Sequence, residues 1–229
     1  VNNNGLDAWE ANAEFWDKAM GDESNDFHRN LVRPNVEPLL CVEPNDFVLD
    51  VACGNGNFSK RLAELGARVV AFDYSSRMIE LAKSRRADVF DKVEFHVCDA
   101  TDFDALMGLR REKLFDKAVA NMAIMDISDI EPLFRALGAM LKPNGVFVCA
   151  THHPCFTFTN GDYFDICTHK GVAINGQPML QNYYHRTMED IFGTAFNAGF
   201  AVDGLREIPM EGDKTPNIIV VRFRRYAED

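Results

Sequence analysis

Between residues 48 and 152 the chain alternates short apolar runs with stretches of helical period, and few architectures accept that pattern. The runs "VLDVA", "ARVVAFD", "KVEFHVCD", "FDKAVANM" and "VFVCATH" are rich in Val, Phe and Ala, as buried strands are. Helical stretches separate them. "FSKRLAEL" places Phe58, Leu62 and Leu65 on one face, with Gly66 behind it. "SSRMIELAKSRR" places Met78, Ile79 and Ala82 on one face and is entered through a serine cap. "DALMGLRREK" is short. "DIEPLFRALGAMLKPNG" carries Pro132 in its first turn and Gly145 past its end. Strands alternating with helices predict a parallel sheet covered by helices on both faces.

The pattern changes on either side. Residues 153–186 are rich in aromatics, Gly, Asn and His and show no period. "TMEDIFGTAFNAGF" then reads as a helix with Thr187 and Asp190 at capping spacing. "AVDGLREI" and "IIVVRFRR" read as strands, and the loop between them, "PMEGDKTPN", suits an antiparallel hairpin better than a crossover. At the front, "DAWEANAEFWDKAM" and "FHRNLVRPNVEPLL" read as two helices. No linker or repeat interrupts the chain. The 229 residues, 47% hydrophobic, are therefore expected to form one α/β domain. Its parts are a helical cap (1–42), a ligand-binding core (43–152), a pocket segment (153–186) and a terminal helix with hairpin (187–229).

Composition narrows the function classes. A net charge of −11 opposes a broad nucleic-acid surface. The two basic clusters, "KSRRAD" and "RFRRY", read as solvated faces. No run of about 18 apolar residues exists to span a membrane, and "VNNNGLD" has no signal-peptide character. The six cysteines form no C-x-x-C pair, and Cys53, Cys98 and Cys149 fall at or in apolar strands. A reducing, cytoplasmic setting is expected.

The loop "CGNGNFS" follows the first strand. In an open parallel sheet, ligands sit beyond the carboxyl ends of the strands, and Gly54 and Gly56 lie there. A nicotinamide fingerprint would place a third glycine at position 59, where the chain has Ser59. Asp50, Asp73 and Asp99 end strands one, two and three, so three carboxylates share one edge of the sheet. They would repel a diphosphate. They suit a ligand carrying an ammonium, a ribose diol, an exocyclic adenine amine and a sulfonium, and S-adenosylmethionine has all four.

With these residues in view, the chain resembles the class I S-adenosylmethionine-dependent methyltransferases. The resemblance rests on "VLDVACGNGNFS", "VVAFDYSSRMIELA", "VEFHVCDATDF", "FDKAVANMAIMDISD" and "LKPNGVFVCATHHP", which occur in order at that family's spacing. It implies a Rossmann-like seven-stranded sheet of order 3-2-1-4-5-7-6 with strand seven antiparallel. It also implies that Asp50, Ala52, Gly54 and Gly56 hold the methionine end, Ala52 standing where the family has a glycine. By the same resemblance Asp73 takes the ribose hydroxyls, Tyr74 and Met78 lie against adenine, and Asp99 with the Ala100 N–H meets the adenine edge. Asn121 and Met122 would flank the methionyl part.

Asn121 is followed by "MAIM" rather than a Pro-Pro-aromatic stretch, which points away from nucleobase amines and protein glutamine as acceptors. The general look is that of the small-molecule branch, the ubiquinone/menaquinone-biosynthesis-like enzymes included. Two segments are expected at the acceptor side, "THHPCF" leaving strand five and "NYYHRT" entering the next helix. They supply His153 and His185 as candidate bases, with His152, Tyr183, Tyr184 and Arg186 as substrate-binding candidates. Their spacing matches no zinc pattern, so no metal is expected. Trp9, Phe15, Trp16 and Phe27 are candidates for an aromatic lid. A nicotinamide-dependent oxidoreductase and a non-catalytic cofactor-binding subunit of the same fold are the alternatives to a methyltransferase acting, as monomer or homodimer, on a small molecule.

Overall fold

The computed structural model describes residues 4–155 and 163–226. The middle of the expected pocket segment, 156–162, lies outside the described residues. Seven strands form the main sheet: β1 (Phe47–Val51), β2 (Arg68–Asp73), β3 (Val93–Val97), β4 (Phe115–Asn121), β5 (Leu141–His152), β8 (Phe200–Ile208) and β9 (Ile218–Arg225). Their order is β3-β2-β1-β4-β5-β9-β8. The first five run parallel, and β9 lies antiparallel between β5 and β8. This is the order expected from the sequence, with the last strand inserted beside the fifth.

The apolar runs form strands because both faces of the sheet are covered. Val48 faces a layer containing Val36 and Leu40, Leu62, and Ile79. These come from α2 (Arg33–Leu40), α3 (Asn57–Glu64) and α4 (Ser76–Arg85). Its neighbour Leu49 faces the opposite layer with Leu106, Phe134 and Ile191, as the two-residue period of a strand requires. Those residues come from α5 (Phe103–Met107), α6 (Glu131–Met140) and α7 (Met188–Asn197). Thr187 and Asp190 close a full capping box at the start of α7.

Several boundaries differ from the sequence expectation. The helix expected over 104–113 is only five residues long. Asp102 caps it by accepting from the Ala105 N–H, and the chain leaves helical form after Gly108. The helix expected to stop just short of Gly145 ends at Met140, because Leu141 is already extended and paired with Phe115. The second front helix begins as a π-helical turn, Phe27–Val32, just ahead of Pro34 at the start of α2. Pro34 has no N–H to give. The first helix, α1, spans Asn4–Met20.

The segment read as lacking a period contains a small antiparallel hairpin, β6 (Thr168–Gly171) and β7 (Gln181–Tyr184), in a sheet of its own. Asn12, almost wholly buried on α1, ties cap to hairpin. Its Nδ2 donates to the Met179 carbonyl and its Oδ1 accepts from the Met179 N–H, both at 2.8 Å.

Candidate functional site

The carboxyl edge of the sheet is built by side chains that hold backbone in place. Asp50, at the end of β1, accepts from the Ser59 hydroxyl at 2.5 Å. Asp73, at the end of β2, accepts from the Gly54 N–H through Oδ2 and from the Ser75 N–H through Oδ1, each at 3.0 Å. Asp99 accepts from the Thr101 N–H and hydroxyl through Oδ1. The chain between Asp50 and Ser59 turns through left-handed backbone, with φ of +52° at Ala52, +55° at Gly54 and +73° at Gly56. Met122, just past β4, has φ of +57°. Such values cost a residue with a Cβ about 1–2 kcal/mol. Ala52 and Met122 both accept that cost, and both line the same cavity.

That cavity opens at its mouth to solvent, and with the open space counted it measures about 1180 Å³. Ten of the eleven residues expected to hold the cofactor line it: Asp50, Ala52, Gly54, Asp73, Tyr74, Met78, Asp99, Ala100, Asn121 and Met122. Gly56 does not. A Cβ there would sit 2.9 Å from the Phe95 ring and 3.2 Å from Arg86 Cγ, and its φ is left-handed. Its glycine answers a need of backbone and packing, not the close approach of a ligand.

Burial raises the carboxyls at this edge. Desolvation pushes Asp50 up to about 7, against the bond from Ser59, and pushes Asp73 up to about 6, against its backbone donors. The Asn121 Oδ1 is buried with no hydrogen-bond partner among the described residues, as is the Tyr74 hydroxyl. No Lys or Arg side chain lines the cavity among the described residues. His28 does, and burial together with Arg33 drives its pKa down to about 4, leaving it neutral. Surplus acceptors and unmet negative charge fit a ligand that brings hydroxyls, an ammonium and a sulfonium.

The front helices cover this cavity. Trp9 and Trp16, edge to face at 5.1 Å, line it together with Met20, Ser24 and His28. Phe15 instead packs toward Gly176 beside the hairpin, and Phe27 packs on the helical layer under α2. Asp17 latches the cap to the core. It takes Arg85 through both oxygens, at 2.7 and 2.5 Å, and takes the Asn55 amide of the glycine loop at 3.0 Å.

The acceptor-side candidates separate. Tyr184 lines the main cavity and also a smaller one of about 280 Å³, which His152, His185 and Arg186 line. His185 donates through Nε2 to the Tyr163 carbonyl at 2.8 Å. His153 lines neither cavity; its Nδ1 accepts from the Cys155 N–H, so its Nε2 carries the proton that Glu207 accepts at 3.0 Å. The two candidate bases, His153 and His185, therefore do not share either of these cavities. Tyr183 packs between the rings of His152 and His169, at 5.4 and 5.5 Å. Arg186 lines the smaller cavity. Its guanidinium donates to the carbonyls of Ile124, Ile127 and Ser128.

Sequence reasoning missed Asp126. It ends the 3₁₀ turn Ile124–Asp126 after β4, lines the main cavity, and accepts from Gln181 Nε2 at 3.0 Å. Its only sequence signal was a carboxylate five residues past Asn121. Asn55 and His28 were missed as well: Asn55 stands between the two glycines that drew attention, and His28 lies in a stretch read only as a helix.

A family model described as "Methyltransferase domain" matches residues 43–194. A ubiquinone biosynthesis O-methyltransferase of Xanthomonas campestris pv. campestris is 28% identical over 146 residues, which is 64% of this chain and 59% of that protein. The matched part of the chain thus spans under two thirds of that relative. Among solved structures, an S-adenosylmethionine dependent methyltransferase from Mesorhizobium loti superposes with a TM-score of 0.64 at 22% identity, over 84% of this chain and 96% of that one. The cyclase SpnF superposes with a TM-score of 0.70 at 14% identity, over 96% and 95%. At these identities the structures are alike in fold; the reaction is a separate matter.

Proposed function

The chain belongs to the methyltransferase-domain family, and from that premise we propose that it transfers a methyl group from S-adenosylmethionine to a small-molecule acceptor. One observation carries the reading. Three strand-end carboxylates, Asp50, Asp73 and Asp99, and the Gly54 loop line a single cavity that holds no Lys or Arg among the described residues.

Bound there, the cofactor would supply a methyl carbon already activated by the sulfonium. The residues assigned to it are the ten that line the cavity. Asp73, whose oxygens each have a backbone donor and a further lone pair, is placed to accept from the ribose hydroxyls. Asp99 Oδ1 is occupied by Thr101, which leaves Oδ2 for the adenine amine. Asn121 Oδ1 is suited to accept from the ammonium. Tyr74 and Met78 offer apolar surface to the base. The cap, with Trp9 and Trp16, would exclude water, and positioning supplies most of the acceleration in a displacement of this kind. We place the enzyme in the cytoplasm as a monomer or homodimer. The net charge supports a small molecule over nucleic acid as acceptor, and no helix among the described residues is long and apolar enough to cross a membrane.

Calorimetry with S-adenosylhomocysteine and with NADH tests the cofactor. Micromolar binding of the first and none of the second is expected; the reverse would establish the oxidoreductase alternative. Release of S-adenosylhomocysteine over a metabolite panel then separates methyl transfer from a cofactor-binding protein of the same fold, such as the fold shared with SpnF permits.

A further inference from the structure

The cavity has a fourth carboxylate that the methyl donor does not account for, and its setting is built. Asp126 Oδ1 receives Gln181 Nε2 at 3.0 Å. Gln181 is almost fully buried, and its Oε1 accepts from Gln177 Nε2 at 3.3 Å. Gln177 Oε1 in turn accepts the N–H groups of Ala173 and Ile174, at 2.9 and 3.0 Å. Backbone N–H groups can only donate, so the orientation of both amides is fixed from one end of the chain to the other. Gln181 must present its NH₂ to Asp126. A neutral amide therefore positions this carboxylate where a Lys or Arg would have cancelled its charge. Oδ2 carries no hydrogen bond among the described residues and is left to the cavity.

The surroundings share the same lack of positive charge. Asp73 and Tyr74 face Asp126 from the end of β2, and Tyr183 and Tyr184 from β7. Arg186 directs its guanidinium to the carbonyls of the turn that carries Asp126. On the cap side His28 is neutral. Burial, reinforced by the charge of Asp73, holds the Asp126 carboxyl well above the usual carboxylate range. A Cβ built on Gly5 would lie 3.5 Å from the Tyr74 hydroxyl and 3.8 Å from that of Tyr184. Two hydroxyls, one of them buried and unpartnered, thus bracket the space left open by a glycine. A carboxylate- or phosphate-bearing acceptor has nothing here to pair with. A group with several N–H donors and a positive charge has a carboxylate and two hydroxyls.

We propose, building on the methyltransferase reading, that the acceptor is an amine and that Asp126 binds it as the ammonium and takes its proton. The freed nitrogen lone pair forms the new N–CH₃ bond as the methyl–sulfur bond breaks and its electron pair returns to sulfur. The proton passes to Asp126 Oδ2 and on to solvent, and the sulfonium's positive charge ends on the new nitrogen, so that charge balances with a neutral thioether and an N-methylammonium as products.

The test uses trios of amine, alcohol and carboxylic acid on common skeletons (benzyl, phenethyl, cyclohexylmethyl), titrated into S-adenosylhomocysteine-saturated protein with Trp9 and Trp16 fluorescence as the reporter. The amine of each trio is expected to bind at least ~10-fold more tightly than its partners, and Asp126→Asn should abolish that preference while S-adenosylhomocysteine affinity stays within about threefold. In turnover, amines that release S-adenosylhomocysteine should lose ~10²-fold or more in kcat/KM in Asp126→Asn, the scale of a lost general base. Alcohols or acids binding as tightly as amines, or a preference that survives in Asp126→Asn, would overturn the assignment while leaving the methyltransferase reading intact. Absence of S-adenosylhomocysteine binding to the wild type would overturn both.

Discussion

The Ser59 hydroxyl donates to Asp50 across 2.5 Å, from the first turn of α3 back to the end of β1. Ser59 is wholly buried and stands where a nicotinamide fingerprint would have its third glycine. The departure from that fingerprint therefore has a job: it gives a buried carboxylate its donor. Ser59→Ala should lower unfolding free energy by ~1–3 kcal/mol, the range for orphaning a buried polar group, read by chemical denaturation. Ser59→Gly restores the G-x-G-x-x-G spacing but should confer no NADH binding, because the three strand-end carboxylates remain. NADH binding to that variant would show that the residue, not the carboxylates, selects the cofactor.

The raised carboxyls make cofactor affinity depend on pH. Asp50 and Asp73 titrate near 7 and 6 in the free fold, against 3.8 in an unfolded chain. Between about pH 4 and 7 the folded free protein binds more protons than the unfolded one. Its own stability from these two groups thus rises as pH falls through that window. A ligand bearing an ammonium and donating hydroxyls favours the ionised carboxylates, so binding releases protons. S-adenosylhomocysteine affinity should weaken by up to about tenfold per pH unit below pH 6 for each coupled group. Calorimetry in two buffers of different ionisation enthalpy measures the protons released; uptake of protons would contradict the assignment.

The cap is joined to the glycine loop itself, since Asp17 takes both Arg85 and the Asn55 amide. Ligand contact with the loop and closure of α1 are then two readings of one equilibrium. Asp17→Ala should weaken S-adenosylhomocysteine binding about tenfold, a shift of ~1.4 kcal/mol. It should also let protease cut within residues 4–24 of the liganded protein as it does in the free one. Equal protection of wild type and variant would make the latch irrelevant to closure.

Two neighbouring glycines serve different ends, and mutation should separate them. Gly56→Ala meets left-handed backbone and the Phe95 ring together. It should destabilise the fold by ~1–3 kcal/mol, while the folded fraction binds S-adenosylhomocysteine with near wild-type affinity. Gly54→Ala meets the same left-handed backbone, at φ +55°, but no clash, its nearest atom being Trp16 Nε1 at 3.9 Å. It should cost the fold only that backbone strain, ~1–2 kcal/mol, and should weaken the cofactor as well, because the shifted loop carries the N–H held by Asp73 at the cavity wall. Melting curves and calorimetry on the two variants check the contrast.

What could be read in advance follows from these same contacts. Asp50, Asp73 and Asp99 were legible because each closes an apolar run, and a carboxylate at a strand end lies at the carboxyl edge whatever else the chain does. The hairpin β6–β7 was not, because each strand is only four residues long, too short to show a period. His152 and His153 show why adjacency misleads. His152 closes β5 and lines the small cavity, whereas His153 lies just past the strand and reaches Glu207 on β8. Asp126 was hidden because its placement depends on Gln181, 55 residues later, and no local pattern records such a contact.

Arg186 is the remaining candidate of the acceptor side, and its hydrogen bonds among the described residues all go to backbone carbonyls. Its guanidinium spans the carbonyls of Ile124, Ile127 and Ser128, a fork that an ammonium on a single stem does not reproduce. The turn it clamps carries Asp126. Arg186→Lys keeps the charge but should let that turn relax, moving Asp126 Oδ2 from its place opposite the acceptor. Misplacement of about 1 Å in such a group costs up to ~10² in rate. Turnover should therefore fall for every acceptor, charged or neutral, while S-adenosylhomocysteine affinity holds. If Arg186 instead paired a substrate carboxylate, the loss would appear only with carboxylate-bearing acceptors and chiefly in KM. Steady-state kinetics on the amine, alcohol and acid trios distinguishes the two patterns, since the clamp predicts a uniform drop in kcat and the ion pair a selective rise in KM.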